Sequence, residues 1–553
     1  MKTELSEKLL RRFLGLRHSR GTWDAHWRDV AQYVYPEKDD FWRSWNQTAH
    51  GARRNQRIYD STAPHANGQF AAVLESLLIP SQSKWHQLRA TDPALNRVRP
   101  VQLWFDSVNS ILFEKRYSPR ANFQGQMNEA FMSIGAFGTA AIFIDERAGE
   151  GLRYKNCFIG DTYIDISHQG LVNQVYRRFD FSNQQAVERW GLENVPKMVR
   201  TEYEANRPDE RHEYVHIVLP NEQIDVRRSD ERGMPFTSIY IDCDEGNELE
   251  RGGYMSFPYA VSRWMTSSLE MYGRSPAMQV LPDIRTLNEM AKTQLSALHK
   301  AVNPPLLLHD DGILGAGQLE VDMRPGGLNY GGVSQEGRQL IQPLVSGTRP
   351  DINEQGMEWK RNTIREAFLV DIFRMVSQKD ARMATTEALL RNQEKGALLG
   401  PIMGRQQTEL LGPIIEREIE ILFRTNQLPP VPQELLDAGE GGLGFDIQYE
   451  SPVSRLQLSE EQVGIDRVLQ TAIGLAQFDN GVAISMLDTE RILEHTQLGS
   501  GAPFDIIKSP EQIQQEQAAQ AEAAQAAQLT EAAPAMAGAV KDLAQAQQIS
   551  QGQ

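Results

Sequence analysis

A chain of 553 residues is too long for one hydrophobic core and implies several lobes. Its 57 Lys+Arg against 73 Asp+Glu leave a net charge of −16. That excludes gripping nucleic acid by bulk charge, which needs a basic surface that releases counterions. A hydrophobic share of 40% excludes a chain disordered throughout.

The opening MKTELSEKLLRRFLGL scatters its charges and has no small-residue cleavage site, so it reads as a helix start rather than a secretory signal. No run of about 18 apolar residues occurs, so no membrane span is expected. Cys157 and Cys243 cannot build a disulfide framework and read as reduced thiols of a protein made in a cytoplasm.

Residues 1–135 read as helical. Phe13, Leu16, Trp23, Trp27, Val30 and Val34 recur at helical spacing up to Pro36. Further helical stretches run over 63–79, about 101–113 and about 123–137. Six of the nine tryptophans fall here, which suits an aromatic core better than a ligand cage. From Thr139 to about 266 the pattern becomes short runs of β-branched and aromatic residues punctuated by glycine, an antiparallel sheet lobe. A short helix near 184–190 interrupts it.

Residues 275–302 form a long amphipathic helix of roughly 40 Å, striped by Val280, Leu281, Ile284, Leu287, Ala291, Leu295 and Leu298. Residues 303–349 hold nine glycines among short β-type runs. A second helix, about 351–376, presents Trp359, Ile364, Phe368, Ile372, Phe373 and Met375 as its apolar side. Such helices cannot bury their stripes alone and must pack on each other or on copies of themselves. A polar break follows at 377–385. A longer helix then runs from about 386 to 426, bent but not ended at Pro401 and Pro413, since each proline withholds a donor from the carbonyl four residues earlier. After it come the Gly-rich turn 439–444 and helices opened by a capping box at Ser459 and Gln462 and by Asp488. The tail 511–553 holds 14 Ala and 12 Gln and too little apolar area to fold by itself. The whole reads as α+β, mainly α.

The one catalytic-looking motif is His212-Glu213-Tyr214-Val215-His216, an H-E-x-x-H. A zinc hydrolase needs that motif on a helix, where both imidazoles share one face. Here the run is β-branched and ends at Pro220; on a strand the two histidines would stand about 13 Å apart, too far for one ion. Phosphate-loop and nucleophile-elbow motifs are missing, and the acidic turn 242–246 lacks calcium-loop spacing. The expectation is therefore no catalytic residue, no metal and no cofactor.

Six segments carry a resemblance. WDAHWRDVAQYVYP (23–36), RIYDSTAPHANGQFAAVLESLLIP (57–80), AFMSIGAFGTAAIFIDE (130–146), MYGRSPAMQVLPDIRTLNEMAKT (271–293), MATTEALLRNQEKGALLGPIMGRQ (383–406) and ELLGPIIEREIEIL (409–422) resemble the portal proteins, or head-to-tail connectors, of short-tailed podovirus-type bacteriophages. The resemblance implies a dodecameric ring at one capsid vertex of the virion, assembled in the host bacterial cytoplasm. It would nucleate head assembly, dock the packaging terminase, conduct double-stranded DNA in and out, and attach the tail. The implied partners are further copies of this chain, DNA, terminase, the major capsid or scaffolding protein, and tail adaptor proteins. The implied layout is a wing (1–270), stem helices (275–302 and 351–376), a β-containing clip (303–349), a tunnel loop (377–385), a long bent wing helix (386–426), a helical crown (427–508) and a C-terminal extension (509–553), barrel or disordered. Lys379 and Arg382 would face the DNA channel. An acidic chain suits a conduit that must not hold phosphates tightly. The alternatives are a tail-tube or adaptor ring protein of the same virion, or a zinc hydrolase using His212 and His216.

Overall fold

The computed structural model describes residues 3–39, 41, 51–147, 151–222, 224–225, 227–228, 230–268, 270–302, 306–308, 336–337, 339, 341–343, 350–370, 403–437, 444–449, 464–465, 467–474, 487 and 492. Two compact units partition the chain: 1–85 with 112–427, and 86–111 with 428–553.

The elements in chain order begin with α1 (Glu4–Ser19), α2 (Gly21–Val34), α3 (Thr62–Leu78), β1 (His86–Ala90), α4 (Arg99–Arg116) and α5 (Phe123–Phe137). The sheet region follows: β2 (Thr139–Arg147), β3 (Gly151–Cys157), β4 (Thr162–Ile166), β5 (Val172–Ser182), α6 (Asn183–Trp190), α7 (Lys197–Glu204), β6 (Arg211–Pro220), β7 (Phe236–Asp242), β8 (Glu248–Tyr254) and β9 (Tyr259–Arg263). Then come α8 (Pro276–Val302), β10 (Leu306–Leu308), β11 (Ile341–Pro343), α9 (Pro350–Ala367), α10 (Gly412–Arg424), α11 (Gln433–Asp437) and β12 (Phe445–Tyr449). The fold is mixed α and β.

In the first unit, β4-β5-β6-β7-β8 form an antiparallel sheet covered on both faces. Period-two alternation along β6 sends Val215 and Ile217 to Leu9 and Phe13 of α1. It sends Tyr214 to Ala186 and Trp190 of α6 and Val199 of α7. Double coverage is why this strand reads as a nearly continuous apolar run. A second sheet, β3-β2-β9, takes β2 directly from α5. The joint is Gly138, at φ +74°, where a Cβ would stand 2.3 Å from the Gly273 carbonyl oxygen. The Trp264 amide donates to the Gly138 carbonyl (2.8 Å) and the Gly273 amide to Thr139 Oγ1 (2.8 Å). The segments 130–146 and 271–293 thus meet backbone to backbone.

Two expectations are corrected here. The helical spacing from Phe13 to Val34 is carried by two helices, not one, because the chain turns at Arg20. That side chain is buried: its guanidinium donates to the carbonyls of Ile159 (2.9 Å), Gly160 (2.5 Å) and Thr162 (2.8 Å), and its Nε pairs with Asp24 at 2.8 Å. The stretch 1–135 is also not wholly helical. β1 lies within it and pairs antiparallel with β12 in the second unit, His86 opposite Tyr449 and Ala90 opposite Phe445. Both strands fell in stretches read as helix or turn. In that unit Asn109 Oδ1 accepts from the Leu88 amide (3.2 Å), and Trp104 Nε1 donates to the Pro429 carbonyl (3.1 Å).

The expected capping box at Ser459 and Gln462, Asp488 and the tail from Ser509 lie outside the described residues. Among the described residues, no helix is long and apolar enough to cross a membrane.

Candidate functional site

The expected helix over 275–302 is α8, continuous through Pro282. Its partner α9 runs over Pro350–Ala367, with Leu369 just beyond it at φ +58°; the rest of the expected helix, 371–376 with Ile372, Phe373 and Met375, lies outside the described residues. The two helices run antiparallel: Asp283 pairs with Lys360, while Met290 Cε lies 3.1 Å from where a Cβ on Gly356 would be.

The root of this helical hairpin is fastened to the first unit by polar contacts. Asn288 accepts from the Tyr59 amide (2.7 Å) and donates to the Arg57 carbonyl (3.0 Å). Arg361 Nε donates to Asp60 (3.0 Å), and Arg285 pairs with Asp29 at 2.8 Å. Burial alone would raise the Asp60 pKa, but hydrogen bonds from Thr62 and Arg361 outweigh it and hold the carboxyl below its usual value. Apolar burial follows the same split. Val280, Leu281, Ile284, Leu287 and Ala291 are buried, as are Met357, Ile364 and Phe368.

Beyond Ala291 the stripe becomes exposed. Leu295 is 45% exposed, Leu298 48% and Val302 78%. Trp359, expected on the apolar core side of α9, is 66% exposed, which corrects that assignment. The last ~16 Å of α8 therefore carries an apolar edge into solvent. An exposed apolar edge is a kind of surface that association can cover.

Past this hairpin, the described helix from Met403 passes through Gly412-Pro413 without ending. A π-helical turn over Gln407–Leu411 precedes the proline. This rearranges the ladder at the point where Pro413 offers no donor to the Glu409 carbonyl. Glu409 and Gln406 tie this turn to β9. Arg263 donates through its amide (3.0 Å), Nε (3.1 Å) and a terminal nitrogen (2.7 Å) to Glu409, and Ser262 donates to Gln406 Oε1 at 2.5 Å. Neither residue stood out in the sequence. Lys379, Arg382 and Pro401 lie outside the described residues.

The H-E-x-x-H motif lies on β6, a strand. His212 holds Glu202 at 2.7 Å through Nε2 and Asp244 at 3.3 Å through Nδ1. His216 holds Tyr259 at 2.7 Å through Nδ1 and Ser238 at 2.9 Å through Nε2, stacked on Tyr240 at 4.2 Å. All four ring nitrogens are engaged by different groups, so the pair does not fit a shared zinc ion. Among the described residues, no group of three or more His, Cys, Asp or Glu side chains could hold a metal.

The two imidazoles respond oppositely to pH. Burial, with Arg177 and Arg189 nearby, pushes His216 well below 6.5. As pH falls below about 6.5 the unfolded chain takes up a proton that folded His216 refuses, so stability drops by up to about 1.4 kcal/mol per pH unit. For His212 burial is outweighed by the hydrogen bonds to Glu202 and Asp244, and its pKa rises. Its contribution is full below about 6.5 and is lost as pH climbs through the raised value. We expect His216→Gln to flatten the fall in urea midpoint between pH 7.5 and 5.5, whatever its effect at pH 7.5. An unchanged slope would show that His216 titrates normally.

A family model described as "Bacteriophage head to tail connecting protein" matches residues 6–507. A protein named "Portal protein" from Salmonella phage epsilon15 is 29% identical over 92% of this chain and 90% of its own length. A "Probable portal protein" from Bordetella phage BPP-1 is 27% identical over 83% of this chain and 81% of its own. Among solved structures, a chain of the "Virion of native gene transfer agent (GTA) particle" aligns at a TM-score of 0.36 and 12% identity, over 78% of this chain and 91% of that one.

Proposed function

This chain belongs to the bacteriophage head-to-tail connecting proteins, and we propose that it is the portal subunit, twelve copies of which close a ring at one vertex of the capsid. The observation that supports ring formation is the unfinished hairpin. The root of α8 and α9 is packed and hydrogen-bonded within its own chain, whereas Leu295, Leu298 and Val302 are exposed along the projecting part and Trp359 is exposed beside the root. A neighbour related by rotation supplies the missing cover, and a head-to-tail interface repeated around an axis closes into a ring. In this reading α8 and α9 are the stem, 303–349 the clip, 377–385 a tunnel loop facing the bore, and 427–508 the crown. The ring nucleates the head, docks the terminase, passes double-stranded DNA and receives the tail adaptors. The family is structural, and the motions required are those of a conduit, not of an active site. A tail-tube or adaptor ring has no specific observation in its favour.

The bore is the part with the sharpest consequence. Lys379 and Arg382 are the only basic residues of 377–385, with Asp380 between them. Repeated around the ring they would touch phosphates through weak, readily exchanged contacts, since a lysine is a point charge on a flexible stem. Lys379→Ala with Arg382→Ala should leave rings and empty heads normal and reduce the DNA packaged or retained per head, measured as genome content of purified particles. Genome content and retention equal to wild type would remove the loop from the conduit.

A further inference from the structure

Besides the hairpin, the first unit holds a solvent-open cavity of about 840 Å³. It is walled by the end of β3, the middle of β5, the start of β6, and the loop segments 36–38 and 51–55. In a chain with an excess of 16 negative charges, this wall carries seven cationic side chains against three carboxylates.

Several of those cations are satisfied by the protein. Arg178 pairs with Asp161 at 2.6 Å and Glu213 at 3.5 Å, and Lys38 with Glu129 at 3.2 Å. Arg54 donates to the Glu37 carbonyl at 2.8 Å. Lys155, Arg177 and Arg53 are different: among the described residues none of the three has a carboxylate within ion-pair distance. Arg177 lies against the Phe179 ring at 5.7 Å and is hydrogen-bonded to Tyr259. The seven cations against three carboxylates leave this wall with net positive charge that an anion can balance. At Lys155 burial first, and then Arg177, Arg153 and Arg189, lower the pKa to about 8.

We propose that this cavity binds a small, multiply charged phosphate ligand, of the class of pyrophosphate or a nucleoside polyphosphate, between Lys155, Arg177 and Arg53. A single carboxylate would leave most of the charge unbalanced. Tetrahedral phosphate oxygens match guanidinium forks and accept from a lysine at the same time. Phe158 and Phe179 on the wall offer apolar faces beside the charge. A DNA duplex presents its phosphates on a convex surface and can reach only the rim, so the site is for a free ligand and not for the genome.

The test is titration of the purified full-length protein with inorganic pyrophosphate at low salt, followed by calorimetry. Saturable binding is expected. Lys155→Met and Arg53→Ala, each with its melting temperature checked, should weaken it tenfold or more, and Lys292→Met on α8 should not. Affinity should also fall as pH rises through about 8, because the bound form requires Lys155 charged. No saturable binding, binding indifferent to Lys155 and Arg53, or a short DNA duplex that competes equally through the same residues would each overturn the proposal.

Discussion

Replacing Glu418 by alanine should destabilise the protein by about 3–5 kcal/mol, a large share of what a domain has to lose. Glu418 and Arg116 are both fully buried and 302 residues apart in sequence. The guanidinium donates Nε to Oε1 at 2.9 Å and a terminal nitrogen to Oε2 at 2.5 Å, the forked geometry that makes such pairs strong. Tyr154 adds its hydroxyl to Oε1 at 2.5 Å. Around the cation stand the rings of Trp85 (4.6 Å), Phe113 (5.1 Å) and Phe123 (5.6 Å). Burial would lower the Arg116 pKa, yet Glu418 outweighs it and the value rises, so Arg116 stays charged. The Glu418→Ala chain therefore loses the buried carboxylate that balances this cation among the aromatic rings. Arg116→Met combined with Glu418→Met should recover most of the loss, because no charge is then left stranded. Urea unfolding of the single and double variants measures both effects. A loss below about 1 kcal/mol for Glu418→Ala would mean that water or another group reaches Arg116.

The second large effect should be on assembly with no cost to folding. Leu298→Glu combined with Trp359→Glu places charges on two side chains that are 48% and 66% exposed within one chain. The fold of the protomer has little to lose there, and surface substitutions of this kind stay within about 0.5 kcal/mol. In a ring, the same side chains would be desolvated against the next copy, where an unpaired carboxylate costs far more and the cost recurs at every interface. The expected result is a particle that sediments as the 62.5 kDa monomer with an unchanged unfolding midpoint. A variant that still forms rings would show that the exposed edge of the hairpin is not where copies meet.

Legibility in the sequence followed range of interaction. The helix expected over 275–302 is Pro276–Val302, because its stripe is periodic over about five turns and needs no outside information. The placement of His212 and His216 on a strand was legible from the β-branched run between them and Pro220. The turn at Arg20 had a local signal, the following Gly21, but the five contacts that fix it come from residues 24 and 159–163. The pairing of β1 with β12 joins segments more than 350 residues apart, and neither strand alternates strongly enough to announce itself. Arg116, Glu418, Gln406 and Glu409 look like ordinary polar helix residues until the fold buries them against distant partners. Trp359 was misassigned for the opposite reason: an apolar helical position signals burial but cannot say whether its own chain or another provides it. The cationic cavity is the same case in charge, its residues scattered over 36–211 and collected only by the sheets.

The central claim is that this chain completes its core by closing a ring with copies of itself. Negative-stain images of the purified full-length protein address it most directly. Perforated rings whose top views show about twelvefold symmetry are expected, lost in the Leu298→Glu, Trp359→Glu variant. Wild-type protein that images as isolated single-chain particles, or as open filaments without a central hole, would contradict it.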